Sequence, residues 1–405
     1  MELIVVHNGQ EDNRVRSTVS ATAPTARYYN EPRQGLNWAR NRGLSVANMP
    51  YVAFVDDDTL VDDSWLAAIQ GALHEDPEIG GLTGLVLPAE LRTCAQVMFE
   101  RYASFNRGFV RRWWQSELIT STDPTLRLRT WEVGTGANIV LSKRAVEAVG
   151  GFDPAFDTGS MIIAAGDLEV FYRLLRAGYE IRYEPTALAW HIHRADYAAL
   201  RRQVTSFGSF ACFVESVLRA DPSEFRTACH LARWMINYFR WRFSASSKSA
   251  ECEFARDLVW AELLGYTQAV FGRRYVRARH KAVAQAKQGD FGVARRYLPP
   301  QPQLSGYERR HMDLCEAVNS AIRVASPGLV VLDVYLSNRR IGCVEIVTAT
   351  RTVPPTRVRD AIVQQLWPWL LTDELREFAP ELLIEDSLRS EGCGGGTNHG
   401  TMRAE

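Results

Sequence analysis

The chain has 405 residues, enough for two or three domains and a sizeable core. Formal net charge is zero and the apolar fraction is 46%, so the balance gives no reason to expect a nucleic-acid partner. Seven cysteines, at 94, 212, 229, 252, 315, 343 and 393, stand far apart with no C-x-x-C pair. They read as reduced, mostly buried thiols, not a disulfide or zinc framework. No apolar run approaches the ~18 residues of a membrane span. The start, MELIVVHNG, lacks the charged flank and long apolar region of a signal peptide. The expected location is cytoplasmic, with peripheral attachment to the inner face of the membrane as a variant.

The elements follow in chain order. Leu3-Ile4-Val5-Val6 reads as a strand running into a loop at His7-Asn8-Gly9. Tyr28-Tyr29-Asn30 reads as a second short strand. Residues 35–48 have helical spacing. The apolar run 51–55 reads as a strand covered on both faces. Asp62-Asp63-Ser64 supplies N-cap chemistry for a helix that stops before Pro77. Residues 79–87 form a further strand, and strand and helix alternate to about 190. That pattern predicts an α/β fold with a mostly parallel sheet flanked by helices.

From 196 to about 295 the chain reads as a helical extension, interrupted by Pro222. Residues 297–302 read as a linker. A helix at 306–323, a hairpin at 329–348 and a helix at 355–371 make a small C-terminal α+β module, 296–375. Asp333 and Glu345 read as surface positions of that hairpin. The remainder, 376–405, reads as a disordered tail.

The apolar run 51–55 stops abruptly at Asp56, Asp57 and Asp58. In an open α/β sheet, ligands sit beyond the carboxyl ends of strands. Alternation turns Asp56 and Asp58 one way and Asp57 the other. Two close carboxylates repel unless a cation joins them, and a hard divalent ion takes carboxylates together with phosphate oxygens. The stretch therefore predicts a metal–diphosphate site, against the simpler reading of a solvated acidic turn. A second constellation spans 131–194: the small-residue loop Gly134 to Asn138, the turn Gly150 to Asp153, Asp167 opening a helix, and His191-x-His193 after a strand.

In this order the pieces VVHNG (5–9), EPRQGLNWARNRGLSVA (31–47), FVDDD (54–58), GTGAN to VGGFDP (134–154) and GDLEVFYRLLRAGYEIRYEP to WHIHR (166–194) resemble glycosyltransferase family 2, inverting enzymes of GT-A fold. The resemblance covers roughly half the chain. It implies a nucleotide-diphosphate sugar donor, a glycan or lipid-linked acceptor, and Mg²⁺ or Mn²⁺. It implies that Asp56 lies near the ribose, with Asp57 beside it, and that Asp58 binds the metal. Asp167 matches the family's general base. Gly35, Arg40 and Asn41 match the loop and helix near the nucleotide, with His7 and Asn8 at the base pocket. Gly136 and Asn138 match the sugar and acceptor pocket, and His191 or His193 a late histidine that reaches the metal or diphosphate. Asp167 also suits a plain helix N-cap.

Three departures stand against the family pattern. A strand and helix that usually come first are missing, which suggests a truncated chain or a misassigned start. His7 stands where the family has Asp, and Gly166 replaces the Glu of a Glu-Asp pair. A Q-x-x-R-W motif is absent, so one sugar per encounter is expected, with a cell-envelope polysaccharide or glycolipid as the expected acceptor. A silent homologue acting as a binding or scaffold protein is the competing reading, and a nucleotidylyltransferase is a third. Arginines mixed with aromatics at 107–114 and 230–243 suit either a membrane interface or a core helix with a charged rim.

Overall fold

The computed structural model describes residues 1–156, 165–248, 255–285, 306–336 and 339–366. The expected linker at 297–302, the end of the last helix and the tail lie outside the described residues. The chain divides into two units, one dominated by residues 1–305 and one by the segments 306–324, 329–346 and onward from Val353.

The β-branched start forms β1 (Ile4–Asn8). Asp12 caps α1 (Asn13–Thr22) by accepting from the Arg14 amide. β2 (Arg27–Glu31) pairs parallel with β1 as a separate two-stranded sheet, and α2 (Leu36–Val46) packs on β1. Next come β3 (Tyr51–Val55), β4 (Thr59–Val61), α3 (Trp65–Glu75), β5 (Gly81–Pro88), α4 (Cys94–Ala103), β6 (Arg112–Trp113) and α5 (Trp114–Thr120). β7 (Asn138–Ser142), α6 (Lys143–Ala148), α7 (Gly166–Arg176) and β8 (Ile181–His191) complete this part.

The main sheet has the order β3-β7-β5-β8-β4, with β6 also on β8. The α/β class is as expected, with helices around a central sheet. The strand directions are not mostly parallel. Within this sheet only β5–β8 is a parallel pair. β7 runs between β3 and β5 antiparallel to both, and β4 and β6 turn back antiparallel onto β8. Nor is β3 covered on both faces: it pairs through β7 alone, and Val55 is 41% exposed. The core lies between the sheet and α7, where Leu85, Ile139, Leu141, Phe171, Leu174 and Tyr183 are buried together.

Four helices follow: α8 (Tyr197–Ser206), α9 (Phe210–Ala220), α10 (Phe225–Lys248) and α11 (Arg256–Gln285). Pro222 opens a 3₁₀ turn between α9 and α10, where its missing N–H costs nothing. The expected boundary at 195/196 does not separate compact units. Phe99 and Tyr102 of α4 share one buried cluster with Leu200 and Val204 of α8 and Leu258 and Val259 of α11. α11 crosses the turn after α8 at backbone contact, because a Cβ on Gly208 would overlap the Gly265 backbone. In α10 the arginine–aromatic stretch is two-faced. Trp234, Tyr238 and Phe239 turn toward the protein, while Ile236 and Trp241 are 60% and 56% exposed. Among the described residues no helix is long and apolar enough to cross a membrane.

The second unit contains β9 (Gly306–Asp313), α12 (Leu314–Asn319), β10 (Ile322–Arg323), β11 (Gly328–Leu336), β12 (Arg339–Thr348), β13 (Thr352–Val353) and α13 (Pro355–Gln365). Its sheet has the order β12-β11-β9. The expected helix at 306–323 is a strand over its first half, with burial alternating residue by residue. Asp333 is not a surface position. It is 1% exposed beneath Arg309 and Arg340, which donate to its carboxylate at 2.6 and 2.7 Å. These two guanidiniums hold its carboxyl well below the usual range. Among the cysteines whose side chains are described, Cys212 is buried but Cys94 and Cys229 are exposed, so burial is not the general rule expected.

Candidate active site

β3 delivers the chain to Asp56, whose carbonyl accepts from the Thr59 amide and so closes a tight turn into β4. The alternation along this turn puts Asp56 and Asp58 on the wall of a cavity of about 960 Å³, while Asp57 is exposed and outside it. Arg40 reaches the same wall from α2. Its Nη2 lies 3.6 Å from Asp56 Oδ1 and 3.3 Å from the Gly136 carbonyl oxygen, to which it donates. Gly136 in turn donates its backbone N–H to Asp167 Oδ2 at 2.8 Å. The Leu168 amide donates to the other oxygen, Oδ1, at 2.9 Å.

Asp167 is therefore oriented across the loop 134–136 as well as at the start of α7. An N-cap role alone does not account for that. Burial pushes the Asp56 carboxyl above its usual range; Arg40 pulls it down, and Asp58 and Asp167 push it up further. Asp56, Asp58 and Asp167 thus face one cavity with the buried Arg40 guanidinium beside Asp56.

Asp58 has a different setting. His191 Nε2 lies 3.4 Å from its Oδ1 and Arg194 3.8 Å from its Oδ2. The hydrogen bond from His191 holds the Asp58 carboxyl below its usual range. Behind His191 a chain continues. Its Nδ1 lies 3.0 Å from His193 Nδ1, and His193 Nε2 lies 2.6 Å from Glu100 Oε1. Burial raises Glu100, but hydrogen bonds from His193 and Ser104 outweigh it and leave it lowered.

Three proton placements satisfy this chain. With His193 doubly protonated, His191 accepts at Nδ1 and donates from Nε2 to Asp58. With His191 doubly protonated, it donates at Nδ1 to His193 and at Nε2 to Asp58. With both neutral, His191 donates at Nδ1 and its Nε2 lone pair faces the Asp58 carboxylate, a meeting of two acceptors that suits a cation shared by them. The donor set thus fits a divalent metal, with Asp58 and His191 as ligands. Both nitrogens of His193 are engaged, so it supports His191 and is not itself a ligand. Among the described residues no three His, Cys, Asp or Glu side chains converge on one metal position. The remaining ligands would come from water or a bound phosphate.

The other expected site residues divide into two groups. Gly35 has φ +136 at the head of α2, in the region that favours glycine. Asn8 holds this loop: its Oδ1 accepts from the Gly35 amide at 2.7 Å, and its Nδ2 donates to the Arg33 carbonyl at 2.7 Å. His7 pairs with the Tyr28 hydroxyl at 3.0 Å. Neither His7 nor Asn8 lines the cavity.

Asn41 and Asn138 are structural. Asn41 exchanges two hydrogen bonds of 2.8 Å with the Phe152 backbone and fixes the 150–152 turn. Asn138 is 1% exposed. It donates to the carbonyls of Leu85 and Ala187 and accepts from Trp65 Nε1. Its polar atoms tie β7 to its neighbours, and it does not line the cavity.

Sequence reasoning missed several residues. Glu100 and Tyr102 come from α4, Arg107 and Trp131 from the loops beyond it, and Trp234, Tyr238 and Glu262 from α10 and α11; all line the cavity. Burial lowers the Arg107 guanidinium, which donates to the Trp131 carbonyl at 2.8 Å. Arg107, Trp234 and Tyr238 fall in the arginine–aromatic stretches, which by themselves do not point to a cavity; no local pattern marks Glu100, Tyr102, Trp131 or Glu262, which tertiary packing brings in.

Residues 1–150 match the family model described as Glycosyl transferase family 2. A pre-mycofactocin glycosyltransferase of Mycobacterium tuberculosis (strain CDC 1551 / Oshkosh) is 32% identical over 160 residues, 38% of this chain and 30% of that protein. A poly-beta-1,6-N-acetyl-D-glucosamine synthase of Staphylococcus aureus (strain COL) is 26% identical over 196 residues, 47% of this chain and 42% of that protein. The chain thus spans less than half the length of these curated relatives. A mannosyltransferase from Pyrobaculum calidifontis, solved with GDP-Man and Mn²⁺, aligns over 71% of this chain and 67% of its own at 17% identity, with a TM-score of 0.35. GalNAc-T7, solved with UDP, GalNAc and Mn²⁺, aligns over 53% of this chain and 41% of its own at 13% identity, with a TM-score of 0.36.

Proposed function

Because residues 1–150 belong to glycosyl transferase family 2, we propose that this chain transfers one sugar from a nucleotide-diphosphate sugar to an acceptor hydroxyl, with inversion. The observation that carries this reading is the meeting of Asp56, Asp58 and Asp167 on one cavity with Arg40 among them.

In this reading Asp58 and His191 hold a Mg²⁺ or Mn²⁺ ion, which when bound neutralises charge on the departing diphosphate. Asp56 and Arg40 receive the nucleotide's ribose and phosphates, beside the loop that Asn8 and Gly35 shape. Asp167, oriented by the Gly136 and Leu168 amides, accepts the proton of the acceptor hydroxyl. The acceptor oxygen then attacks the anomeric carbon. The bond from that carbon to the diphosphate oxygen breaks on the opposite side, and its electron pair leaves with the diphosphate. Attack from the far face inverts the anomeric configuration. General-base help of this kind is worth about 10²–10⁴ in rate.

Calorimetric titration of UDP and GDP, with and without Mn²⁺, tests the donor end. Manganese-dependent binding that Asp58→Ala abolishes and Asp167→Asn leaves intact is the expected result. A folded chain that binds neither nucleotide would overturn the enzyme reading and favour a silent scaffold.

A further inference from the structure

The cavity extends well past the carboxylates. Its far part is walled by Trp131, Phe210, Trp234, Tyr238 and Tyr266. These rings form a continuous surface. Trp131 meets Phe210 edge-on at 4.8 Å and Trp234 at 5.9 Å, and Trp234 stacks on Tyr238 with 11° between planes. Several polar groups at this end are paired with protein partners. Glu262 accepts from the hydroxyls of Tyr102 at 2.6 Å and Tyr238 at 3.2 Å, and Arg242 donates to the Tyr102 carbonyl.

From this wall we infer that the acceptor is an alcohol with a compact, ring-bearing apolar body. Its ring system stacks in the chamber of α10 and α11, and its hydroxyl points at Asp167. The inference rests on the glycosyltransferase reading and adds the substrate class to it.

The physical argument is one of matching surfaces. Rigid aromatic faces reward planar or ring-shaped apolar groups through offset stacking and edge contacts. A glycan chain would set many of its hydroxyls against a lining that is mostly apolar, and each buried hydroxyl left unpaired is costly. A flexible alkyl chain would lose its own rotamer freedom without gaining stacking. The chamber is also continuous with the reacting end, since Leu168, next to Asp167, lines the same cavity.

The test uses the full chain and three alcohols: 2-naphthylmethanol, 1-decanol and cellotetraose. Binding is read by calorimetry and by saturation-transfer NMR, alongside UDP and GDP titrations with Mn²⁺. The expected result is binding of 2-naphthylmethanol in preference to the other two. Trp234→Ala should weaken it by up to about tenfold, the affinity equivalent of one aromatic contact, and leave nucleotide binding unchanged. Met235→Trp fills the chamber without removing a ring and should also block it, which keeps the test decisive if Trp234→Ala misfolds. Tighter binding of cellotetraose or decanol, or naphthylmethanol binding unaffected by both variants, would overturn the inference. Nucleotide binding without naphthylmethanol binding sinks this inference alone. Naphthylmethanol binding without nucleotide binding sinks the donor reading and leaves the chamber as a ring-ligand site.

Discussion

Gly136 separates the chemistry of the site from the stability of the fold. Its backbone is not in the left-handed region, so alanine adopts it without strain. The added Cβ would stand 2.6 Å from Arg40 Nη2 and 3.2 Å from Asp167 Oδ2. Both obstacles are ends of side chains, and the guanidinium has the open cavity to move into. Arg40 should therefore swing away. It then loses its 3.3 Å bond to the Gly136 carbonyl and its place 3.6 Å from Asp56. The charge-assisted hydrogen bond that Arg40 is proposed to give the nucleotide is worth about 1.5–3 kcal/mol, while the freed guanidinium and the Gly136 carbonyl both face the open cavity. Gly136→Ala should thus weaken nucleotide binding by about ten- to a hundredfold, with a stability loss near or below about 1 kcal/mol. Gly84→Ala is the contrasting control. There the Cβ would strike the Ala187 carbonyl and the Asn138 amide, neither of which can leave. Overpacking at a fixed backbone costs about 1–3 kcal/mol or more. Calorimetry with UDP or GDP and Mn²⁺, paired with urea denaturation of both variants, gives the comparison. A Gly136→Ala protein that binds nucleotide like the wild type, or that unfolds as readily as Gly84→Ala, would refute the reasoning.

Asn138→Ala should act on the fold, not on sugar binding. It leaves the Leu85 and Ala187 carbonyls and the Trp65 indole without their partner, at about 1–3 kcal/mol for each group stranded, and chemical denaturation would show it. Glu100→Gln removes the charge that anchors the His193–His191 chain. Mn²⁺ affinity should fall by about tenfold or more, with metal-free nucleotide affinity and melting temperature nearly unchanged; equal Mn²⁺ affinity would disconnect the relay from the metal.

Glu262 carries a pH prediction. Burial raises its carboxyl, against hydrogen bonds from Tyr102 and Tyr238 that lower it. A folded-state pKa above the unfolded one means the folded chain holds that proton more tightly. Its favourable contribution is complete below the unfolded value and is lost as pH rises through the folded value. Glu262→Gln should therefore melt higher than the wild type at neutral pH. The difference should close at about pH 4, near the ordinary glutamate value. Parallel melting curves at all pH values would show that Glu262 is not the group involved.

That Asp56 and Asp58 share a wall is legible in the sequence because the run 51–55 locates the strand end and period-two alternation separates Asp57 from its neighbours. The place of Asp167 at the head of a helix is legible from the apolar spacing that follows it. Asn138 was misjudged for an equally physical reason. A lone asparagine at the head of an apolar strand has the same appearance whether it faces a ligand or binds neighbouring carbonyls. Only the positions of Leu85, Ala187 and Trp65 decide the matter, and they lie 49–73 residues away in sequence. Strand direction was hidden too. β7 enters the sheet after a long excursion from β5, and nothing in Asn138 to Ser142 records which way it runs. The strand at 306–313 was mistaken for helix because Glu, Arg and Met are good helix formers. The cross-sheet pairing of Arg309 with the buried Asp333 overrides that preference.

The helices after residue 196 complete the site, and α4 shows how. Its N-terminus carries a capping box, Thr93 with Gln96, and Gln96 also donates to the His193 carbonyl at 3.2 Å. α4 is thereby pinned to the end of β8, where His191 and His193 lie. From that fixed start it sends Glu100 to His193 at one end of the cavity and the Tyr102 hydroxyl to Glu262 of α11 at the other. One short helix therefore holds a partner of the His193–His191 pair at one end and of Glu262, which also bonds Tyr238, at the other. A change that loosens α4, such as Gln96→Ala, should weaken Mn²⁺ and naphthylmethanol binding together. Trp234→Ala should weaken only the second. Independent loss of the two in the Gln96 variant would show that the cavity's ends are built separately.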